Sequence, residues 1–341
     1  MSILMRLVCE FSVPWQTMVT HKVENLGAAH SVAALIVNWN CWEHLFNCIA
    51  ALEKQIIPFR NIVVIDNASD IGEDAIIDDL AVQVDFIQLP TNQGFASGNT
   101  VALKHLDDCD FVALVNPDAY LAPDWLQQML AATERHPDAA SFASCLVVAD
   151  KRDTWDGLGD VYHMSGQVWR DAHGQLRSSR PAEEREIFSP CAAAALYRTE
   201  ALLQVGLFDE DFFCYVEDVD LGFRFRLAGY HCMLVPDAVA LHVGSATTGG
   251  KRSDFAVYHG HRNLLWAFVK NMPGYLFWLL LPLHLAHESY GDRRVCPARA
   301  GAVGSTRKVG CHQGGAHDVA QAQRDSGGSG CLHQRYLACP G

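Results

Sequence analysis

The chain has 341 residues, 50% of them hydrophobic and 19% charged, a balance that excludes a disordered chain and describes a globular protein with a sizeable core. Asp and Glu number 39 against 26 Lys and Arg, for a formal charge of -13. Without a basic cluster the chain lacks the counterion-releasing contacts on which nucleic-acid affinity rests, so a nucleic-acid partner is disfavoured, and any bound phosphate needs a metal ion or backbone donors.

The twelve cysteines are scattered through apolar runs with no C-x-x-C pair, which reads as buried reduced thiols in a cytoplasmic protein. In residues 1–17 the apolar character is interrupted by Glu10 and Pro14, so no cleaved signal is expected. Residues 1–30 read as an extension, and Met18 is a candidate start.

From Ser31 the chain alternates short β-branched runs with helical patterns. VAALIVN at 32–38 predicts a buried strand, Leu45, Ile49 and Leu52 within 41–55 a helix, and NIVVID at 61–66 a second strand. Helix is expected at 71–82, strand at 84–89, helix at 98–106, and a further buried strand, DFVALVN, at 110–116. Such alternation predicts a mainly parallel sheet with helices on both faces. Its ligands belong beyond the carboxyl ends of the strands. Those ends are polar: Asn38 and Asn40, Asp66 to Asp70, Thr91 to Gly94, and Asn116-Pro117-Asp118. Each resembles an ordinary turn; four along one sheet edge point to a site.

After a helix over 123–136, periodicity weakens through 151–186, which reads as an excursion covering the active site or holding an acceptor. Order returns with CAAAALYR at 191–198, a helix at 200–205, a loop, a helix at 217–228 and a strand at 231–235. YLFWLLLPLHLA at 275–286 is apolar but too short for the about 20 residues of a span. It reads as an interfacial helix anchored by Tyr275 and Trp278, in peripheral contact with a membrane, or as a packed helix. Beyond Glu288 the chain has no Ile, Phe, Trp or Met and cannot build a core. Residues 289–341 look like out-of-frame translation or a disordered tail.

Four clusters carry candidate chemistry. Asp118, on a proline-stiffened turn after a buried strand, offers one carboxylate to a hard cation such as Mg2+ or Mn2+. Glu217, Asp218 and Asp220 open a helix beside Phe212, Phe213 and Tyr215; acids there can simply favour the helix dipole, or one can be a base in a partly desolvated pocket. His242, followed by Gly244, Ser245 and Thr247, is a structural histidine or, with Asp118, completes an oxygen and nitrogen metal site. The stretch from Thr91 to Asn99 holds Gly94 and Gly98, which permit close backbone approach to a ligand. It is not the dinucleotide fingerprint, whose place after the first strand is taken by Asn38-Trp39-Asn40.

In order and spacing these clusters resemble glycosyltransferase family 2 of the GT-A fold, in its rhamnosyltransferase-like branch. The matching motifs are the first strand ending at Asn38, V-V-I-D-N-A-S-D at 63–70, N-Q-G-F-A-S-G-N at 92–99, N-P-D at 116–118, G-L-F-D-E-D-F-F-C-Y-V-E-D-V-D-L at 206–221, and H-V-G-S at 242–245. The resemblance covers about residues 31–271. It implies a GT-A type α/β fold with a Rossmann-like nucleotide-sugar half (31–120) and an acceptor half (121–250), followed by the apolar helix at 272–288. It further implies that Asn38, Asp66, Asn67, Asn92, Gly94, Asn99 and Asn116 shape the nucleotide-sugar site and that Asp118 and His242 hold a divalent metal, Asn116 replacing the first acid of the D-x-D element. Asp218 becomes the general base, Glu217 its support, and Asp209 and Glu210 line the acceptor side. The implied activity is inverting, metal-dependent transfer of a sugar, with dTDP-rhamnose the expected donor and UDP-sugars the alternative. The implied acceptor is a lipid-linked or cell-surface glycan at the cytoplasmic face of the membrane. Two rivals stay open: an inactive or unstable product of a disrupted gene, and a nucleotide-sugar binding module.

Overall fold

A computed structural model describes residues 30–70, 84–104, 109–244 and 253–295, the last nine by backbone alone. The elements in chain order are β1 (Val32–Asn38), α1 (Trp42–Glu53), β2 (Asn61–Asp66), β3 (Asp85–Gln88), α2 (Gly94–Lys104), β4 (Phe111–Val115), β5 (Ala119–Leu121), α3 (Trp125–Arg135) and β6 (Ala139–Val148). They continue with β7 (Trp155–Gly157), β8 (Asp160–Tyr162), β9 (Val168–Arg170), β10 (Arg185–Ile187), β11 (Ala194–Arg198), α4 (Thr199–Val205), a 3-10 turn (Glu210–Phe212), α5 (Glu217–Leu227), β12 (His231–His242), α6 (Asp254–Asn271) and α7 (Gly274–Val295).

One sheet in the order β10-β12-β6-β11-β4-β1-β2-β3 forms the spine, with β5 on β12 and β7 on β6. β3, β2, β1 and β4 pair in parallel as expected. β11 runs antiparallel between β4 and β6, so the sheet beyond β4 is mixed. β1 explains the layering. Its seven residues are all buried, and alternate side chains leave opposite faces. Val32, Ala34 and Ile36 pack with Leu45 and Ile49 of α1 and Trp125 and Met129 of α3. Leu35 and Val37 pack with Ala96 and Ala102 of α2 and join Tyr197, Leu202, Leu221 and Phe225 on the other face. Trp125 Nε1 donates to Ser144 Oγ at 2.7 Å, and that hydroxyl donates to Ala194 O at 2.6 Å, locking α3 to β6 and β11.

Several boundaries differ from the sequence expectation. The helix expected at 71–82 lies outside the described residues. α2 starts at Gly94 rather than Gly98, and the Asn92 side chain accepts from Gly94 N at 2.9 Å in the turn that enters it. The strand expected at 231–235 runs on to His242, with Pro236 accommodated in an irregularity between Val235 and Val239. The 151–186 excursion contains β7 to β10, including the β8-β9 hairpin. α7 passes the break at Glu288 and reaches Val295. Tyr275 and Trp278 are 77% and 73% exposed, so the helix is not packed on that side. No helix among the described residues is long and apolar enough to cross a membrane. The seven described cysteines are all unbridged thiols, five of them buried.

Candidate active site

Parallel register sets Asn38 of β1 beside Asp66 of β2, and Asn116 follows β4 on the other side of β1. Asp66 is fully buried and satisfied: Asn38 Nδ2 donates to Oδ1 at 3.1 Å, Ser69 Oγ to the same oxygen at 2.5 Å, and Ser69 N to Oδ2 at 3.1 Å. Asn67 braces the next loop, donating to Asn92 Oδ1 at 2.9 Å and Gly94 O at 3.0 Å and accepting from Gln93 N at 2.8 Å. Asn99, also buried, donates to Phe95 O in its own helix. These residues brace the polar ends of β1 and β2 and the start of α2. The buried Oδ1 atoms of Asn38 and Asn116 have no partner among the described residues.

β5 pairs with the end of β12, setting Ala119 against His242, so the chain returns His242 to Asp118 after a long detour. His242 Nε2 stands 3.5 Å from Asp118 Oδ1, Gly244 N donates to Asp118 Oδ2 at 3.0 Å, and His242 Nδ1 lies 2.8 Å from Asp156 Oδ2. Burial opposes the Asp118 carboxylate, but His242 and the Gly244 amide outweigh it and hold the pKa below the usual range. Burial likewise opposes an imidazolium, and the two carboxylates outweigh it, so the proton affinity of His242 is raised. Among the described residues no group of three His, Cys, Asp or Glu could hold a metal by itself. One carboxylate oxygen and one imidazole nitrogen do suit a hard cation that takes its remaining ligands from a substrate diphosphate and water.

The three acids at the start of α5 separate by environment. Asp220 is 1% exposed and spoken for, accepting from Arg224 Nε at 2.9 Å and Asn271 Nδ2 at 2.7 Å. Glu217 is buried, its Oε2 has no partner among the described residues, and burial beside Asp218 pushes its pKa well above the usual carboxylate value. Asp218 is partly exposed and accepts from Ala192 N at 3.3 Å and Val219 N at 2.9 Å. Burial raises its pKa, while the Arg170 guanidinium and those amides pull the other way. Neighbouring Ala193 O accepts from Asn116 N at 2.9 Å, so the entry to β11 ties Asp218 to the polar sheet edge. The loop leading to α5 is strained: Phe213, Tyr215 and Val216 all have positive φ, each costing of order 1–3 kcal/mol. Asn263 of α6, fully buried, secures it by donating to the carbonyls of Phe212, Cys214 and Tyr215 at 2.8, 2.8 and 2.7 Å.

Asp209 caps the 3-10 turn and pairs with Lys270 Nζ at 2.6 Å, while Glu210 is exposed. Sequence reasoning misses Asp156, Asp160, Arg170 and Asn263. The first three come from the excursion, where short strands leave no periodicity, and Asn263 sits singly in a helix.

Residues 33–206, just over half the chain, match the family described as Glycosyl transferase family 2. The chain belongs to that family and is a glycosyltransferase, working on a nucleotide-sugar donor. It is 26% identical over 254 residues, 65% of this chain and 80% of the relative, to the N-acetylglucosaminyl-diphospho-decaprenol L-rhamnosyltransferase of Mycobacterium tuberculosis. Its fold is similar to that of S. aureus TarS in complex with UDP-GlcNAc, with a TM-score of 0.53 and 17% identity over 79% of this chain and 76% of TarS. It is similar too to GalNAc-T7 with UDP, GalNAc and Mn2+, with a TM-score of 0.53 and 14% identity over 62% of this chain but only 43% of the GalNAc-T7 chain.

Proposed function

We propose that this enzyme transfers rhamnose from dTDP-rhamnose to a hydroxyl of a lipid-linked glycan, inverting the anomeric centre in one displacement. The setting of Asp218 carries the reading: among the three acids of its helix turn it alone is partly exposed, and backbone amides aim it from beside the polar sheet edge. Asp218 takes the proton of the acceptor hydroxyl as that oxygen attacks the anomeric carbon, and the bond to the nucleoside diphosphate breaks on the opposite face. Glu217, whose proton affinity burial raises, supports the base. Asn38, Asp66, Asn67, Asn92, Gly94, Asn99 and Asn116 shape the donor pocket, and Asp209 and Glu210 border the acceptor side. Asp118 and His242 would hold Mg2+ or Mn2+, which offsets charge on the departing diphosphate.

The 26% relative supports rhamnose and a lipid-linked acceptor; the solved neighbours hold UDP or UDP-GlcNAc and make a UDP-sugar the alternative donor. The exposed apolar side chains of α7, Tyr275, Trp278, Leu279 and Leu285, suit peripheral contact with a membrane that carries such an acceptor, at its cytoplasmic face. The test compares nucleotide release from dTDP-rhamnose and UDP-GlcNAc with a polyprenyl-diphosphate-linked acceptor, in wild type and Asp218→Asn. The variant should bind donor as wild type does and lose at least about 100-fold in transfer, the scale of a positioned base. Activity above about one per cent would remove Asp218 from that role.

A further inference from the structure

We propose that Asp156 is a positioning residue that fixes His242 in the tautomer able to ligate a divalent cation. The proposal rests on the reading of Asp118 and His242 as the metal site and adds a residue to it. The His242 ring is 8% exposed and lies between two carboxylates at unequal distances, 2.8 Å from Nδ1 to Asp156 Oδ2 and 3.5 Å from Nε2 to Asp118 Oδ1. A neutral imidazole has one N–H, and it belongs on the nitrogen with the short contact to an acceptor-only group. Asp156 therefore accepts a hydrogen bond from Nδ1–H and leaves the Nε2 lone pair facing a carboxylate oxygen. In the neutral ring two lone pairs face each other across 3.5 Å, a place that either a second proton on Nε2 or a divalent cation fills. The same division of labour orients metal-bound histidines generally, through a carboxylate on the far nitrogen.

Asp156 is itself held in place. It is 4% exposed on β7. Arg170 Nη1 contacts the same Oδ2 at 3.0 Å, with Arg170 Nε 3.5 Å from Asp160 Oδ1. His173 Nδ1 reaches Asp156 O at 2.7 Å and Oδ1 at 3.4 Å. The next residue is Gly157, where a Cβ would sit 2.2 Å from Arg170 Cδ and 2.3 Å from its Cγ. Glycine there lets the arginine cross the strand and reach Asp156. β7 and β9 both come from the excursion, so that segment reaches the metal site through Asp156.

The experiment titrates Mn2+ into full-length wild type and Asp156→Asn in the presence of UDP and, separately, dTDP. It is followed by electron paramagnetic resonance of free Mn2+, with nucleotide affinity in EDTA and thermal midpoint as parallel readouts. Asp156→Asn should weaken Mn2+ by about 10- to 100-fold, with nucleotide affinity in EDTA unchanged. A folded variant whose Mn2+ affinity stays within about threefold of wild type would overturn the proposal, because a purely structural anchor moves the midpoint and not the metal. Nitrogen-15 spectra of the wild-type histidines at alkaline pH, without metal, need no variant: His242 should carry its proton on Nδ1, and a proton on Nε2 overturns the proposal. Wild type that binds no Mn2+ refutes the metal site itself, and the tautomer then decides separately whether Asp156 positions the ring.

Discussion

Gly94 is where the loop after β3 touches the loop that leads into α5, and replacing it by alanine should damage both. Its φ is +84°, and a Cβ there would lie 2.5 Å from Phe213 O and 2.6 Å from Phe213 Cδ2. The left-handed conformation alone costs an alanine about 1–2 kcal/mol. The overlap adds more, because Phe213 O is backbone and also accepts from Ala96 N at 3.1 Å. Forcing it away loses that bond, worth about 1 kcal/mol, and strains packing by about 1–3 kcal/mol. The total is about 3–6 kcal/mol. Gly206 is the control, with φ +92° and nothing within 4 Å of its would-be Cβ, so Gly206→Ala bears only the conformational cost. At roughly 2–4 °C per kcal/mol for a domain of this size, Gly94→Ala should lower the thermal midpoint by on the order of 10 °C or more and Gly206→Ala by about 4 °C. Circular dichroism melts of the three proteins measure both. Equal shifts for the two variants would refute the claimed contact between Gly94 and Phe213.

The acid limb of transfer reports the base. Asp218 must be ionised, and its pKa is raised by burial, so kcat/KM should fall as pH drops through a value above the ordinary carboxylate value of about 4. Because Arg170 lowers that pKa, Arg170→Gln should move the limb to higher pH; an unmoved limb would separate Arg170 from the base. Asn263→Ala removes the side-chain donor that the carbonyls of Cys214 and Tyr215 share, while Phe212 O keeps Arg262 Nη2 and Cys214 N. At about 1–3 kcal/mol for the unsatisfied groups together, it should lower the denaturation midpoint and cut kcat, with KM for donor little changed. A kcat equal to wild type in the folded variant would show that the strained loop does not depend on α6.

Legibility follows burial and local chemistry. β1, β2 and β4 stand between helices on both faces, so they appear as uninterrupted apolar runs, and their polar ends mark the site in the sequence alone. β6 escapes notice because half of AASFASCLVV is Ala or Ser, which breaks up the β-branched and aromatic run that marks a strand; its burial is a property of tertiary context. The antiparallel insertion of β11 leaves no trace in periodicity. Asp118 and His242 are suggested by type and order, yet their meeting depends on β5 pairing with the far end of β12. Asp209 illustrates the converse: its motif position suggests the acceptor side, and the structure gives it a cap and an ion pair with Lys270. Asp156 and Arg170 lie in strands of three residues, too short for any period to emerge.

The most direct test of a donor site assembled on this sheet edge is calorimetric titration of the purified protein with dTDP and UDP, first with Mn2+ and then with EDTA, in wild type and Asp118→Ala. Binding that strengthens with Mn2+ in wild type and loses that dependence in Asp118→Ala is the predicted result, and the tighter nucleotide identifies the donor class. A folded wild type that binds neither nucleotide, or binds them equally with and without Mn2+, would contradict the account.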